Sequence, residues 1–291
     1  MTRSLVFIGA LLAASFAGSS ASLADAGPMI RFTLEPQHGN PTKIHANFRH
    51  QGSRGDDNQW SNGFMPSDLI GLEVSSFHGS GTRPIHFSIV REAGRLDCSG
   101  NGGHEFATGT CRFTPDPGFG ELLVRSGAGR PTYDESLGLT AVNARRELVE
   151  ALTAAHYPAP RINDLMALAA LGVDGRYIAD LSRAGYRPPN LQKLVEFKAL
   201  GITPAWIGGF VRIGYANVPG DGLVQLRALG ISPEYILGFE HLGYRNLPVN
   251  TLVQLKALGI TPEFVRSVAT AGQPMPPVNK LVEMKVFSRR H

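Results

Sequence analysis

The chain writes one phrase almost twice: LVQLRALGISPEYILGFEHLGY begins at Leu223, and LVQLKALGITPEFV begins at Leu252. The duplication belongs to a longer register. Gly172, Gly201, Gly230 and Gly259 each follow Ala-Leu at intervals of 29 residues, and Gly185, Gly214 and Gly243 keep the same interval. So do Tyr157, Tyr186, Tyr215 and Tyr244, while Leu139, Leu168, Phe197, Leu226, Leu255 and Met284 extend the register in both directions. Self-similarity at this period marks a repeat in which one supersecondary unit recurs.

Each unit carries the chemistry of two short helices. Leu223, Leu226 and Leu229 are spaced for one helical face, and Gly230 stands where a left-handed C′ residue ends the helix, with Ile231 as its apolar partner. Ser232-Pro233-Glu234 then supplies an N-cap, a proline at N1 and an acid facing the positive end of the dipole. Thr203-Pro204 and Thr261-Pro262 repeat the device, and the second helix of the unit ends at Gly243 beside Tyr244. Helices of about nine residues cannot bury their apolar faces alone, so neighbouring units must stack into an α-solenoid. Five units are expected. The first is degenerate, with Asn143 and His156 in place of the two glycines, and NKLVEMKVFSRRH is a lone closing helix.

From residue 29 to about residue 113 the period is two instead. Ile30, Phe32 and Leu34 alternate with Arg31, Thr33 and Glu35; Ile44, Ala46 and Phe48 alternate with His45, Asn47 and Arg49; Ile85, Phe87 and Ile89 repeat the pattern. Half-buried antiparallel strands explain all three, with the Gly/Asn/Ser clusters between them as turns and loops. The expected architecture is multidomain α+β. A small antiparallel β-sandwich or open barrel (residues 27–125), closed by a helical turn in PDPGFGELLV, is followed by a linker (126–131) and the α-helical repeat domain (132–291).

The start of the chain reads as a signal peptide over residues 1–26, with Arg3 in a positive n-region, an apolar run and an Ala24-Asp25-Ala26 cleavage site. No later stretch is long and apolar enough to span a bilayer, so the expected location is periplasmic or secreted. The only two cysteines, Cys98 and Cys111, flank a Gly-rich turn between strand-like runs, and an oxidising compartment favours a disulfide between them. A hydrophobic fraction of 43% and a charged fraction of 18% describe a folded chain. The net charge of +4 falls short of a nucleic-acid-binding signature. The charge is uneven: residues 144–291 hold 17 basic against 11 acidic side chains, and residues 27–143 hold 10 against 12.

Motifs for catalysis are absent. His104-Glu105 is followed by Thr108 where the second ligand of H-E-x-x-H belongs, and neither a P-loop nor G-x-S-x-G occurs, so no catalytic residue and no cofactor is assigned. Six histidines lie in the β half (His38, His45, His50, His78, His86 and His104) without close ligand spacing, which reads as surface rather than metal. The sharper candidate is Lys198, Arg227, Lys256 and Lys285, one cation per unit in the last turn of each first helix. Such a cation complements the helix dipole locally. Stacked units also make of these four a basic row for a protein or an anionic envelope component. Tyr186, Tyr215, Tyr244, Phe210 and Phe239 read as core or cap contacts, and Trp60 as a loop anchor or a binding residue.

The phrase LGITPEFV with its following Gly-Tyr resembles helical repeats of uncharacterised exported bacterial proteins. Similar repeats are attached to some membrane metallopeptidases of the antibiotic-sensing type. REAGRLDCSGNGG…GTCRFTPDPGF resembles the β module that often precedes them. The resemblance implies a bacterial envelope protein and carries no catalytic residue over, since H-E-x-x-H is missing. The expected function is a non-enzymatic interaction module. The alternative is an envelope hydrolase or metal-binding protein with its site among the β-domain histidines.

Overall fold

The computed structural model describes residues 27–52, 55–270 and 273–288, so the signal peptide assigned to residues 1–26 lies outside the described residues. An antiparallel sheet is followed by helices, an α+β arrangement with thirteen α-helices among the described residues. The strands are β1 (Ile30–Pro36), β2 (Ile44–Gln51), β3 (Asp57–Phe64), β4 (Arg83–Arg91), β5 (Gly94–Gly103) and β6 (Phe106–Pro115), with the short helix α1 (Val74–His78) between β3 and β4.

The strand order is β3-β2-β1-β6-β5-β4, a single open sheet. Two meanders, β1-β2-β3 and β4-β5-β6, are joined edge to edge by the pairing of β1 with β6, so two facing sheets do not form among the described residues. The apolar face closes by curling. Phe32 on β1 and Phe87 on β4 stand three strands apart, about 14 Å in a flat sheet, yet their ring centroids are 5.0 Å apart, edge to face. Gly100 and Gly109 permit the bend. They oppose each other across β5 and β6, and a Cβ on Gly109 would stand 2.8 Å from the Phe32 ring. Cys98 and Cys111 are also direct cross-strand partners, with Cα atoms 4.0 Å apart and a disulfide between them. DNQWSNGF, a loop by composition, is the edge strand β3. Its eight-rung pairing with β2 overrides its low β-propensity.

The helices that follow are α2 (Pro117–Arg125), α3 (Tyr133–Ala141), α4 (Arg146–Ala154), α5 (Ile162–Ala170), α6 (Gly175–Arg183), α7 (Leu191–Ala199) and α8 (Pro204–Arg212). They continue as α9 (Gly220–Ala228), α10 (Pro233–Glu240), α11 (Val249–Ala257), α12 (Pro262–Val268) and α13 (Val278–Ser288). They pack two apart in sequence: α3 on α5, α5 on α7, α7 on α9 and α9 on α11, with α2 on α4, α4 on α6, α6 on α8 and α10 on α12. One continuous core runs between the rows, with Leu168, Phe197, Phe210, Leu226, Phe239 and Leu255 fully buried. Each first helix ends in the same backbone bond five residues back, as from Ile202 to Phe197, Ile231 to Leu226 and Ile260 to Leu255. Asn143 (φ 55°) and His156 (φ 56°) adopt the left-handed conformation of the glycines they replace.

α2 does not close the sheet. Its Phe119 and Leu123 belong to the helical core, because the chain from Asp116 has the same N-cap, N1 proline and left-handed glycine (Gly127, φ 81°) as the second helix of a unit. The halves meet at α3, whose Leu137 is buried in the sheet's core. Tyr133 packs its ring against Phe113, and the Arg146 N–H donates to Glu92 at 2.7 Å. No single helix among the described residues is long and apolar enough to cross a membrane. The α7–α8 pair meets that test only jointly and is bent by 85°.

Candidate functional site

The repeated cations acquire their setting from the N-cap of the preceding helix. Asp174, Thr203, Ser232 and Thr261 each accept a hydrogen bond from the backbone N–H of the third helical residue, at 2.7, 3.1, 3.3 and 3.2 Å. That third residue is aromatic every time: Tyr177, Trp206, Tyr235 and Phe264. The cap thus fixes where one ring per unit leaves the backbone. Over each ring lies the cation of the next first helix. The Lys198 Nζ is 4.4 Å from the Tyr177 centroid, the Arg227 Cζ 5.5 Å from Trp206, the Lys256 Nζ 4.7 Å from Tyr235 and the Lys285 Nζ 4.5 Å from Phe264. All four cations are half-buried. Such a pair contributes about 0.5–2 kcal/mol, rising as it is desolvated.

The same rings tie the units together. The Tyr177 and Tyr235 hydroxyls donate to the carbonyls of Ile202 and Ile260, both at 2.7 Å. Trp206 has no hydroxyl, and there Arg227 donates instead to the Leu200 carbonyl at 2.8 Å. At the other end of each second helix, Tyr215 and Tyr244 donate to Leu247 and Pro276, at 2.8 and 2.5 Å. Tyr186 stacks on Phe197 at 5.1 Å. Burial raises the pKa of Tyr177 to about 12 and raises that of Tyr235 as well. These hydroxyls therefore stay protonated donors above pH 10, where a free tyrosine ionises.

The β-half histidines do not converge: among the described residues no three His, Cys, Asp or Glu side chains stand together as a metal site would need. His38, His78, His86 and His104 are exposed, and His45 is half-buried. His78 pairs with Glu105 at 3.4 Å. His50 differs. It is buried on β2, its Nε2 is 3.5 Å from the Asp134 carboxylate on α3, and its ring meets Trp60 edge-on at 5.9 Å. Trp60 is a strand residue of β3, stacked on Phe48 at 5.0 Å, rather than a loop anchor. Beside His50 is a cavity of about 730 Å³, which Arg31, Arg49, Asn58 and Gln59 also line.

Sequence reasoning found the cations and missed the rings beneath them. The signal was present, since residues 177, 206, 235 and 264 are aromatic at the interval of 29. The His50–Asp134 approach left no trace in the sequence, because it joins residues of different periods. No protein-family model matches this chain. No curated protein matches it either.

Proposed function

We propose that this chain is a non-enzymatic interaction module of the bacterial cell envelope, exported by its leader. In this reading the stacked helices form a solenoid whose basic flank holds a protein or an anionic envelope component. The observation that carries it is the row Lys198, Arg227, Lys256 and Lys285, each held over a ring of the preceding unit. A cation already held on a ring has less side-chain freedom to lose on binding, so its charge is presented at lower entropic cost. Spacing of about 8–10 Å between packed helices makes the row a track for an extended anionic partner. The Cys98–Cys111 disulfide is consistent with an oxidising compartment.

The test is in-cell crosslinking of the tagged protein beside two variants. In one, all four cations become glutamine; in the other, Lys198, Lys256 and Lys285 become arginine, which keeps both charge and ring contact. Capture of the same component by wild type and the arginine variant, reduced at least about tenfold in the glutamine variant (1.4 kcal/mol), is the expected result. Equal capture by all three would remove the basic row as the binding surface.

A further inference from the structure

The edges of the sheet are unequal. β4 is covered at its middle, where Ile70 and Ser88 exchange backbone hydrogen bonds of 2.9 and 2.8 Å, and it carries Arg83, Pro84 and Arg91. β3 has little that blunts an edge: no proline, no lysine or arginine, a single charge at Asp57, and an unbroken register with β2 from Asp57 to Phe64. Among the described residues no other element hydrogen-bonds its outer backbone groups.

Which groups those are follows from the hairpin turn. The Gly52 N–H donates to the Asp56 carbonyl at 2.8 Å, which makes Gly52 and Asp56 a hydrogen-bonded pair. Hydrogen-bonded and non-hydrogen-bonded pairs alternate along an antiparallel ladder. The backbone groups of Asn58, Trp60, Asn62 and Phe64 therefore point to β2, and those of Asp57, Gln59, Ser61 and Gly63 point to the open edge.

We infer that β3 pairs with β3 of a second copy of this chain, antiparallel, about a two-fold axis at Trp60. In any two-fold pairing the outward residues must face outward residues. Only the register centred on residue 60 engages all of them: Asp57 with Gly63 and Gln59 with Ser61, each pair exchanging two hydrogen bonds. Centring on Gln59 or Ser61 leaves one outward residue over. The chosen register sets Asn58 opposite Asn62 and Trp60 opposite its own copy. It opposes no like charges, since Asp57, the strand's single charged residue, faces glycine. The pairing is isologous and closed, so it stops at a dimer.

Sedimentation velocity on the purified chain across the micromolar range tests this, with three variants. Ser61→Pro removes one outward N–H per copy, at an edge position where proline is tolerated. Two bonds are then lost by symmetry, and the dimer is expected to weaken at least about tenfold. Gln59→Glu with Ser61→Glu sets like charges directly opposite one another across the proposed axis, while within the monomer residue 59 faces Arg49 and residue 61 faces Asn47; it should weaken the dimer comparably while the circular dichroism of the folded chain stays unchanged, even where the proline variant fails to fold. Trp60→Cys should form an intermolecular disulfide on mild oxidation, because its non-hydrogen-bonded pair has Cα atoms about 4.5 Å apart. A wild type that stays monomeric overturns the inference, as does a dimer indifferent to the glutamate pair. A Trp60→Cys variant that does not crosslink overturns the register.

Discussion

At the scale of single residues, this chain repeats one contact: a capped aromatic at the third position of one helix, beneath a cation from the next. Cap, ring and cation each have a local role in helix stability, and the fold joins them into one contact. The degenerate first unit shows what happens where the pattern lapses. His156 holds a left-handed φ of 56°, a conformation that costs an L-residue other than Asn or Gly roughly 1–2 kcal/mol. The turn it makes uses backbone only: its N–H bonds Thr153 and its carbonyl accepts from Arg187. His156→Gly is therefore expected to stabilise the protein by about 0.5–1 kcal/mol, the strain relieved less the extra entropy of glycine. Urea unfolding checks this, and a loss of stability would mean that the imidazole contributes more than the strain costs.

Elements pack through contacts that helix propensity does not foresee. Gly209 and Gly238 lie inside α8 and α10, where alanine would be favoured by about 0.5–1 kcal/mol. Both face the first-turn proline two helices on. A Cβ at Gly209 would stand 3.1 Å from Pro233, and one at Gly238 would stand 2.6 Å from Pro262. The glycine lets the capped start of the next second helix approach closely. Gly238→Ala is expected to lower stability by roughly 1–2 kcal/mol, overpacking of about 1–3 outweighing the propensity gain. A thermal melt of the variant decides the sign, and a rise in Tm would show that the rows can slide apart without loss.

For the whole molecule, the sheet and the helices are coupled through α3 and Arg146. Leu137 sits in the sheet's core, His50 faces Asp134, and Arg146 bonds both Glu92 and Asp116. One titration reports on this packing. All seven tyrosines (133, 157, 177, 186, 215, 235 and 244) have their pKa raised, in each case chiefly by burial. A group with a raised folded-state pKa contributes stability that is complete below its unfolded value, about 10 for tyrosine, and is lost as pH rises through the folded value. For Tyr177 that window runs from about 10 to about 12. Stability should thus fall steeply above pH 10, with tyrosinate absorbance appearing together with the loss of helical circular dichroism. Full tyrosine ionisation near pH 10 with the helices intact would show that these rings are not held as described.

Much of this protein is legible in its sequence because the information is local. The interval of 29, the Ser/Thr-Pro caps and the terminal glycines specify paired helices, and the alternation at Ile30, Ile44 and Ile85 specifies strands that pair as written. The two cysteines flank one hairpin turn, so their bridge was legible too. What the sequence left open depends on contacts between distant segments. DNQWSNGF became a strand because β2 supplied a ladder for it, and two meanders became one sheet because β1 found β6. Phe119 left the β half for the helical core, and four surface cations settled onto rings in neighbouring units. Periodicity states which face of an element is apolar; which other element covers that face is decided only when the chain closes on itself.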